Sequence, residues 1–157
     1  MRALALACLL AIAAPLRADP GLPPAEPLEV VFVCQYGYAK SLVAAKHFER
    51  MAAERGLTVK VVARGLTPKG SVPAPIAQAL RGDGLAVDGY APVALSASDV
   101  ATADVVATFG IDSPFPTEAR VLRWDDVGAL SEDYPKAREQ IRAHLGPLLD
   151  ELSKVRR

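Results

Sequence analysis

Cysteine and histidine are scarce in this chain, which has two of each in 157 residues. They form no cluster with metal-ligand spacing, so the sequence predicts neither a metal site nor a cofactor. Charge of one sign is also lacking: the formal net charge is zero at pH 7. No run of basic residues occurs either, and these absences argue against a nucleic-acid partner.

Long hydrophobic runs are absent as well. The longest apolar stretch, residues 3–14, is too short to span a bilayer as a helix. It follows Arg2 and precedes Pro15 and the small residue Ala18, an arrangement typical of a secretory signal peptide. The sequence therefore predicts a signal peptide over residues 1–18, with cleavage after Ala18 preferred and Ala13 or Ala14 as the alternatives. It predicts a periplasmic or secreted protein without stable membrane insertion after cleavage.

Removal of this leader would leave Cys34 as the only thiol of the mature chain. Oxidising compartments normally pair their cysteines, so a single one is either buried and inert or kept reduced for chemistry. The leader also carries two of the 18 basic residues and no acidic one, which gives the mature chain a net charge of −2.

The remaining chain is predicted to hold a Pro-rich lead-in over residues 19–27 and one domain over residues 28–157. Strand and helix patterns alternate in the domain. Strands are predicted at 30–33, 57–63, 104–109 and 119–124, and helices at 41–55, 75–82, 98–103 (capped by Ser98) and 133–155. This alternation predicts an α/β fold of three layers, αβα, around a four-stranded parallel sheet. The first strand should lie between the second and the third.

One motif joins the first strand to the first helix: Cys34-Gln35-Tyr36-Gly37-Tyr38-Ala39-Lys40-Ser41. Ligand sites in parallel sheets lie at the carboxyl ends of the strands, where this motif is placed. Loop amides and a helix N-terminus carry partial positive charge, which favours a bound anion and a thiolate. The motif therefore predicts an oxyanion cradle with a nucleophile at its floor.

The motif resembles the phosphate-binding loop of low-molecular-weight protein tyrosine phosphatases and of the arsenate reductases that share their fold. Their pattern is cysteine, five residues, arginine, then serine or threonine, and the resemblance extends over residues 28–152. It implies that Cys34 is the nucleophile, that Lys40 binds the oxyanion and that Ser41 stabilises the leaving thiolate. It assigns substrate binding to the intervening loop residues, Gln35, Tyr36, Gly37, Tyr38 and Ala39.

The loop departs from the family's pattern at three positions. Lys40 replaces the arginine. A lysine ammonium is a point charge on a flexible side chain, whereas the planar guanidinium of the family's arginine can bind two oxygens at once. Gly37 replaces an asparagine, and Ala39 replaces a second cysteine found in several relatives. Glycine reaches positive φ without steric strain, so the loop shape could survive. Two further roles stay open: Ser41 either caps the helix alone or both caps it and stabilises the thiolate, and the loop's two tyrosines either line the pocket mouth or shield the thiol.

The family's general acid is an aspartate followed by proline near the last helix, and this chain has no Asp-Pro pair there. Asp126 is the preferred candidate, ahead of Asp125 and Asp112, although each also suits a solvated loop. His47 and His144 are predicted to be surface or packing residues.

Three functions fit the sequence. The first is hydrolysis of a phosphomonoester, phosphotyrosine among the candidates, through a cysteinyl-phosphate intermediate. The second is binding of phosphate or another oxyanion without turnover, which the replaced arginine and the missing acid favour. The third is arsenate reduction coupled to a small thiol. The predicted partners are an oxyanion ligand and a phosphoprotein substrate.

Overall fold

The computed structural model describes residues 26–155. The predicted signal peptide, residues 19–25 of the predicted lead-in and residues 156–157 lie outside the described part. Glu26 and Pro27 have no regular secondary structure. Within the described part, no helix has the length and apolar character that crossing a membrane requires.

The elements alternate as the sequence predicts. The strands are β1 (Leu28–Cys34), β2 (Val59–Gly65), β3 (Val105–Thr108) and β4 (Arg120–Arg123). The helices are α1 (Lys40–Glu54), α2 (Ala74–Gly82), α3 (Ala97–Thr102) and α4 (Tyr134–Val155).

The four strands form one parallel sheet in the order β2-β1-β3-β4. This order confirms the predicted α/β fold and the predicted place of the first strand between the second and the third. In the register of the sheet, Cys34 is opposite Gly65 of β2, and its neighbour Val33 is opposite Thr108 of β3. The central position of β1 thus brings Cys34 to the carboxyl edge of the sheet.

All seven residues of β1 are buried, as a continuous apolar run predicts for a strand covered on both faces. Val30 and Phe32 belong to the larger core, whereas Val31 and Val33 belong to a smaller core on the other face. The ring of Phe32 contacts Phe48 of α1 at a centroid distance of 5.6 Å. This packing fixes the strand and helix that flank the cysteine loop.

Two predicted helix caps are wrong. Helix α3 is capped by Ser96 rather than Ser98: the Ser96 hydroxyl accepts from the amide of Asp99, and the Asp99 carboxylate accepts from the amide of Ser96. Helix α1 has Ala39 at its N-cap and no side-chain cap, so Ser41 does not serve as the cap. The Ser41 hydroxyl is instead available for a contact inside the site.

Candidate active site

Cys34 lies at the junction of β1 and the loop to α1, and its side chain is buried. Its Sγ is 3.0 Å from the hydroxyl oxygen of Ser41, which sits in the first turn of α1. The backbone N–H of Gly37 donates to the same sulfur at 3.3 Å. The strand end, the loop and the helix start therefore converge on one thiol.

The loop rests directly on the end of β2. Gly37 has φ of +75°, the positive value that the sequence predicts a glycine to allow here. A Cβ atom on Gly37 would lie 2.9 Å from the nitrogen of Gly65, and one on Gly65 would lie 2.7 Å from the nitrogen of Gly37. The two backbones approach so closely that neither position has room for a side chain.

Residues distant in sequence also hold the loop. The Tyr90 hydroxyl donates to the carbonyl of Gly37 at 2.6 Å, and the side chain of Gln35 donates to the Thr67 hydroxyl at 2.7 Å. Burial raises the pKa of Tyr90 to about 12, and the charge of nearby Cys34 acts in the same direction. Tyr90 therefore stays protonated, and able to donate, at neutral pH.

The N-terminus of α1 offers backbone donors to an anion. The first intrahelical bond is donated by the Val43 amide to the Ala39 carbonyl at 2.9 Å. The amides before Val43 have no carbonyl of a preceding turn to bond, and the helix dipole adds positive character there. This end of the 15-residue helix is thus suited to an oxyanion.

Lys40 begins α1 and reaches across to the loop after β4. Its Nζ donates to the Val127 carbonyl at 2.5 Å. The side chain lines the same cleft as Cys34, so its charge is close to the cradle. The ammonium group is hydrogen-bonded to a backbone carbonyl, and it cannot bind two oxygens of an anion in the bidentate way of an arginine guanidinium.

A cleft of about 480 Å³ opens over the thiol. Its walls are mostly apolar, and it is lined by Cys34, Gln35, Tyr36, Tyr38, Ala39, Lys40, Pro73, Pro75, Ile76, Phe109, Ala129, Leu130, Ser131 and Tyr134. The rings of Tyr36 and Tyr38 stack at 5.7 Å, and Lys69 lies over Tyr36 with its Nζ 4.6 Å from the ring centroid. The two tyrosines thus line the cleft while stacked on each other.

The structure brings none of the three candidate aspartates into the cleft. Asp126 pairs with His144, whose Nε2 is 2.8 Å from its carboxylate, and this hydrogen bond lowers the pKa of Asp126. Asp125 accepts from the Gly110 amide at 3.0 Å, and both Asp125 and Asp112 bond to Arg123. The predicted acid Asp126 therefore lies outside the cleft, with its carboxylate hydrogen-bonded to His144.

A known family accounts for this arrangement of strand, cysteine loop and helix. The sequence model of the low molecular weight phosphotyrosine protein phosphatase family matches residues 29–113, more than half of the chain. The chain belongs to this family. The match includes the whole cysteine loop and, apart from Leu28, three of the four strands. No curated protein sequence matches the chain.

Solved structures share the fold at low sequence identity. The chain resembles a thioredoxin-dependent arsenate reductase of Corynebacterium glutamicum (TM-score 0.72, 21% identity), covering 83% of this chain and 65% of that one. It resembles YfkJ of Bacillus subtilis (TM-score 0.74, 18% identity), covering 86% and 100%. It also resembles a low molecular weight protein tyrosine phosphatase of T. tengcongensis (TM-score 0.62, 19% identity), covering 81% and 98%. At these identities the likeness establishes the fold alone.

Both histidines of this family member pack against other side chains. His47 is fully buried on α1, with Nε2 3.4 Å from a carboxylate oxygen of Asp83, and burial lowers its pKa. Asp83 also accepts from the hydroxyl of Tyr134 at 2.9 Å. The ring of His144 stacks on Trp124 at 4.8 Å. Residues 26–155 contain no cluster of three or more His, Cys, Asp or Glu side chains that could hold a metal ion.

Sequence reasoning missed Gly65, Thr67 and Tyr90, which support the loop from β2 and the segments beyond it. Their contacts with the loop span about 30 residues or more of sequence. Gly65 ends the neighbouring strand β2 and Thr67 comes two residues later, and the carboxyl end of β2 lies at the same sheet edge as Cys34. This shared edge was the one sequence signal that could have identified Gly65 and Thr67 as residues of the site.

Proposed function

We propose that the protein is a cysteine-dependent phosphatase that hydrolyses a phosphomonoester at Cys34. The observation that carries this proposal is the position of the Cys34 sulfur in the cleft, hydrogen-bonded to the Ser41 hydroxyl in the first turn of α1 and to the Gly37 amide of the loop. The Gly37 N–H donates to the sulfur and the Ser41 hydroxyl is placed to do so, and donors to sulfur favour the thiolate, which is the attacking form of cysteine.

The reaction would take place in two displacements. The thiolate of Cys34 attacks phosphorus, so that an S–P bond forms as the ester P–O bond breaks, and the leaving oxygen takes a proton from solvent. Water then attacks phosphorus, the S–P bond breaks, and inorganic phosphate leaves with the thiolate restored. The Ser41 hydroxyl supports the departing sulfur, while the amides at the start of α1 and the charge of Lys40 stabilise the phosphoryl oxygens.

The leaving group sets the class of ester. No carboxylate among the described residues lines the cleft, so the departing oxygen would leave without a proton from a carboxylic acid. A phenolate is a weaker base than an alkoxide and leaves more readily under those conditions. The mostly apolar walls also suit an aromatic ring. We therefore propose an aryl ester such as phosphotyrosine as the substrate.

A second candidate is an oxyanion-binding protein without turnover. Two observations favour it: the Lys40 ammonium bonds to the Val127 carbonyl, and Asp126 is paired with His144. Arsenate reduction is a third candidate. Cys34 is the only cysteine among residues 26–155, so that activity would draw on an external thiol. Export of the protein stays a prediction from the sequence.

The test compares the wild type with Cys34→Ser and Lys40→Arg, using turnover of an activated aryl phosphate and inorganic phosphate binding by calorimetry. Activity in the wild type that disappears in Cys34→Ser supports the phosphatase. Activity that survives in Cys34→Ser shows that the nucleophile is another group. Phosphate binding without turnover in the wild type supports the binding protein instead, and activity gained in Lys40→Arg would identify the lysine as the cause.

A further inference from the structure

We propose that Tyr90 is a positioning residue for the cysteine loop and acts on Cys34 through Gly37, an inference that rests on the proposed function at Cys34. The Tyr90 hydroxyl donates to the Gly37 carbonyl at 2.6 Å. The N–H of the same glycine donates to the Cys34 sulfur at 3.3 Å. One residue of the loop therefore carries both the contact with Tyr90 and the contact with the nucleophile.

Gly37 has no side chain that could hold its backbone in place. With φ of +75° and no side chain, it has access to more backbone conformations than any other residue type. Among the described residues, Tyr90 provides the one side-chain hydrogen bond to the Gly37 carbonyl. Loss of that bond removes a direct restraint on the carbonyl and leaves the packing of Gly37 against Gly65 and the contact of its N–H with the Cys34 sulfur.

The segment that carries Tyr90 is itself anchored to the sheet. Gly65 at the end of β2 donates to the Val93 carbonyl at 2.9 Å and accepts from the Leu95 amide at 2.9 Å. Gly65 is also the residue on which Gly37 packs. The loop and the Tyr90 segment thus share one backbone support, and this support gives the hydroxyl of Tyr90 a fixed position relative to the loop.

The expected effect follows from the value of one hydrogen bond. A net contribution of about 0.5–1.5 kcal/mol corresponds to a factor of roughly 2 to 10 in an equilibrium. Without Tyr90's hydroxyl, the Gly37 amide is aligned with the sulfur for a smaller share of the time. Since a donor to sulfur favours the thiolate, the reactivity of Cys34 at neutral pH should fall by roughly that factor.

The experiment measures alkylation of Cys34 by iodoacetamide from about pH 5 to about pH 9, in the wild type and in Tyr90→Phe. The matched control is Thr117→Val, because the Thr117 hydroxyl donates to the Val100 carbonyl, also at 2.6 Å and part-buried. We expect a pH profile displaced to higher pH in Tyr90→Phe and unchanged in Thr117→Val. Equal profiles in all three proteins would overturn the proposal, whatever the melting temperatures.

A second variant separates the hydroxyl from the ring. Tyr90→Leu should displace the profile in the same direction as Tyr90→Phe, and a displacement in the leucine variant alone would assign the effect to packing and overturn the proposal. Turnover of an aryl phosphate is measured on the same proteins. A displaced profile without wild-type turnover supports the role of Tyr90 while the proposed phosphatase fails. Turnover by the wild type, together with an unchanged pH profile in Tyr90→Phe, supports the proposed phosphatase and overturns the role of Tyr90.

Discussion

The Cys34 sulfur and the Ser41 hydroxyl oxygen lie 3.0 Å apart, across the loop that joins the central strand to the first helix. Ser41 is fully buried and takes no part in capping that helix. The side-chain hydrogen bond of this buried hydroxyl is to the Cys34 sulfur. Its contribution should therefore be to chemistry at the sulfur more than to helix stability.

Ser41→Ala should slow aryl phosphate turnover by about tenfold or more, because the departing thiolate loses a donor. The slow step should become hydrolysis of the S–P bond, so rapid-mixing kinetics should show a burst of released phenol. The matched control is Ser153→Ala, which removes a hydroxyl bonded to the Leu149 carbonyl at 2.6 Å in α4. Equal turnover in Ser41→Ala and the control would contradict a role for Ser41.

Gly65→Ala should disturb the cysteine loop. The added Cβ would lie 2.7 Å from the Gly37 nitrogen, a backbone atom that can move only with the loop. We expect weaker phosphate binding in calorimetry and a lower melting temperature. Gly82→Ala is the control, because a Cβ on this exposed residue at the end of α2 would meet no atom of another part of the chain within 4 Å, and it should leave phosphate binding unchanged. Unaltered phosphate binding in Gly65→Ala would show that the loop tolerates the displacement.

Ser96→Ala should lower the free energy of unfolding by about 1 kcal/mol, because it removes the cap of α3. Urea denaturation would measure the change. Ser98→Ala is the comparison: its hydroxyl contacts that of Ser96 at 2.9 Å but does not cap the helix, so a smaller loss is expected. A larger loss in Ser98→Ala would reverse the assignment of the cap.

Stability should fall as the pH drops below about 6.5, the ordinary histidine value. Burial lowers the pKa of His47 in the folded protein, so the unfolded chain binds the proton more readily. The stabilisation is therefore complete above the unfolded-state pKa and decreases as the pH falls toward the folded-state pKa. Urea unfolding at several pH values should show this slope in the wild type and a flatter one in His47→Gln. Identical slopes would rule out His47 as the titrating group.

The sequence was sufficient for the fold and for the cysteine loop because both depend on local patterns. A continuous apolar run identified the central strand, and the motif between that strand and the next helix placed Cys34 beside Ser41. The cap of α3 was also readable, because Ser96 has an acidic residue three positions later, the spacing of a capping box. Choosing Ser98 overlooked that spacing.

The remaining parts of the site depend on contacts that sequence spacing does not reveal. Asp126 was a reasonable acid by position, but His144 on α4 binds its carboxylate outside the cleft. Tyr90 reaches the loop from 53 residues away through the fold of an irregular segment. Lys40 could be recognised as a cation at the cradle, whereas its bond to the Val127 carbonyl depends on where the chain runs after β4.

Trp124 is the single tryptophan of the chain, and it packs between Phe32 at 5.7 Å and His144 at 4.8 Å. Its ultraviolet emission therefore originates from one place, the junction of the central strand, β4 and α4. The next residues include Asp126, bound to His144, and Val127, bound to Lys40 of the cleft. The protein thus contains its own optical probe, and a ligand that draws Lys40 away from Val127 should change its fluorescence without any attached label.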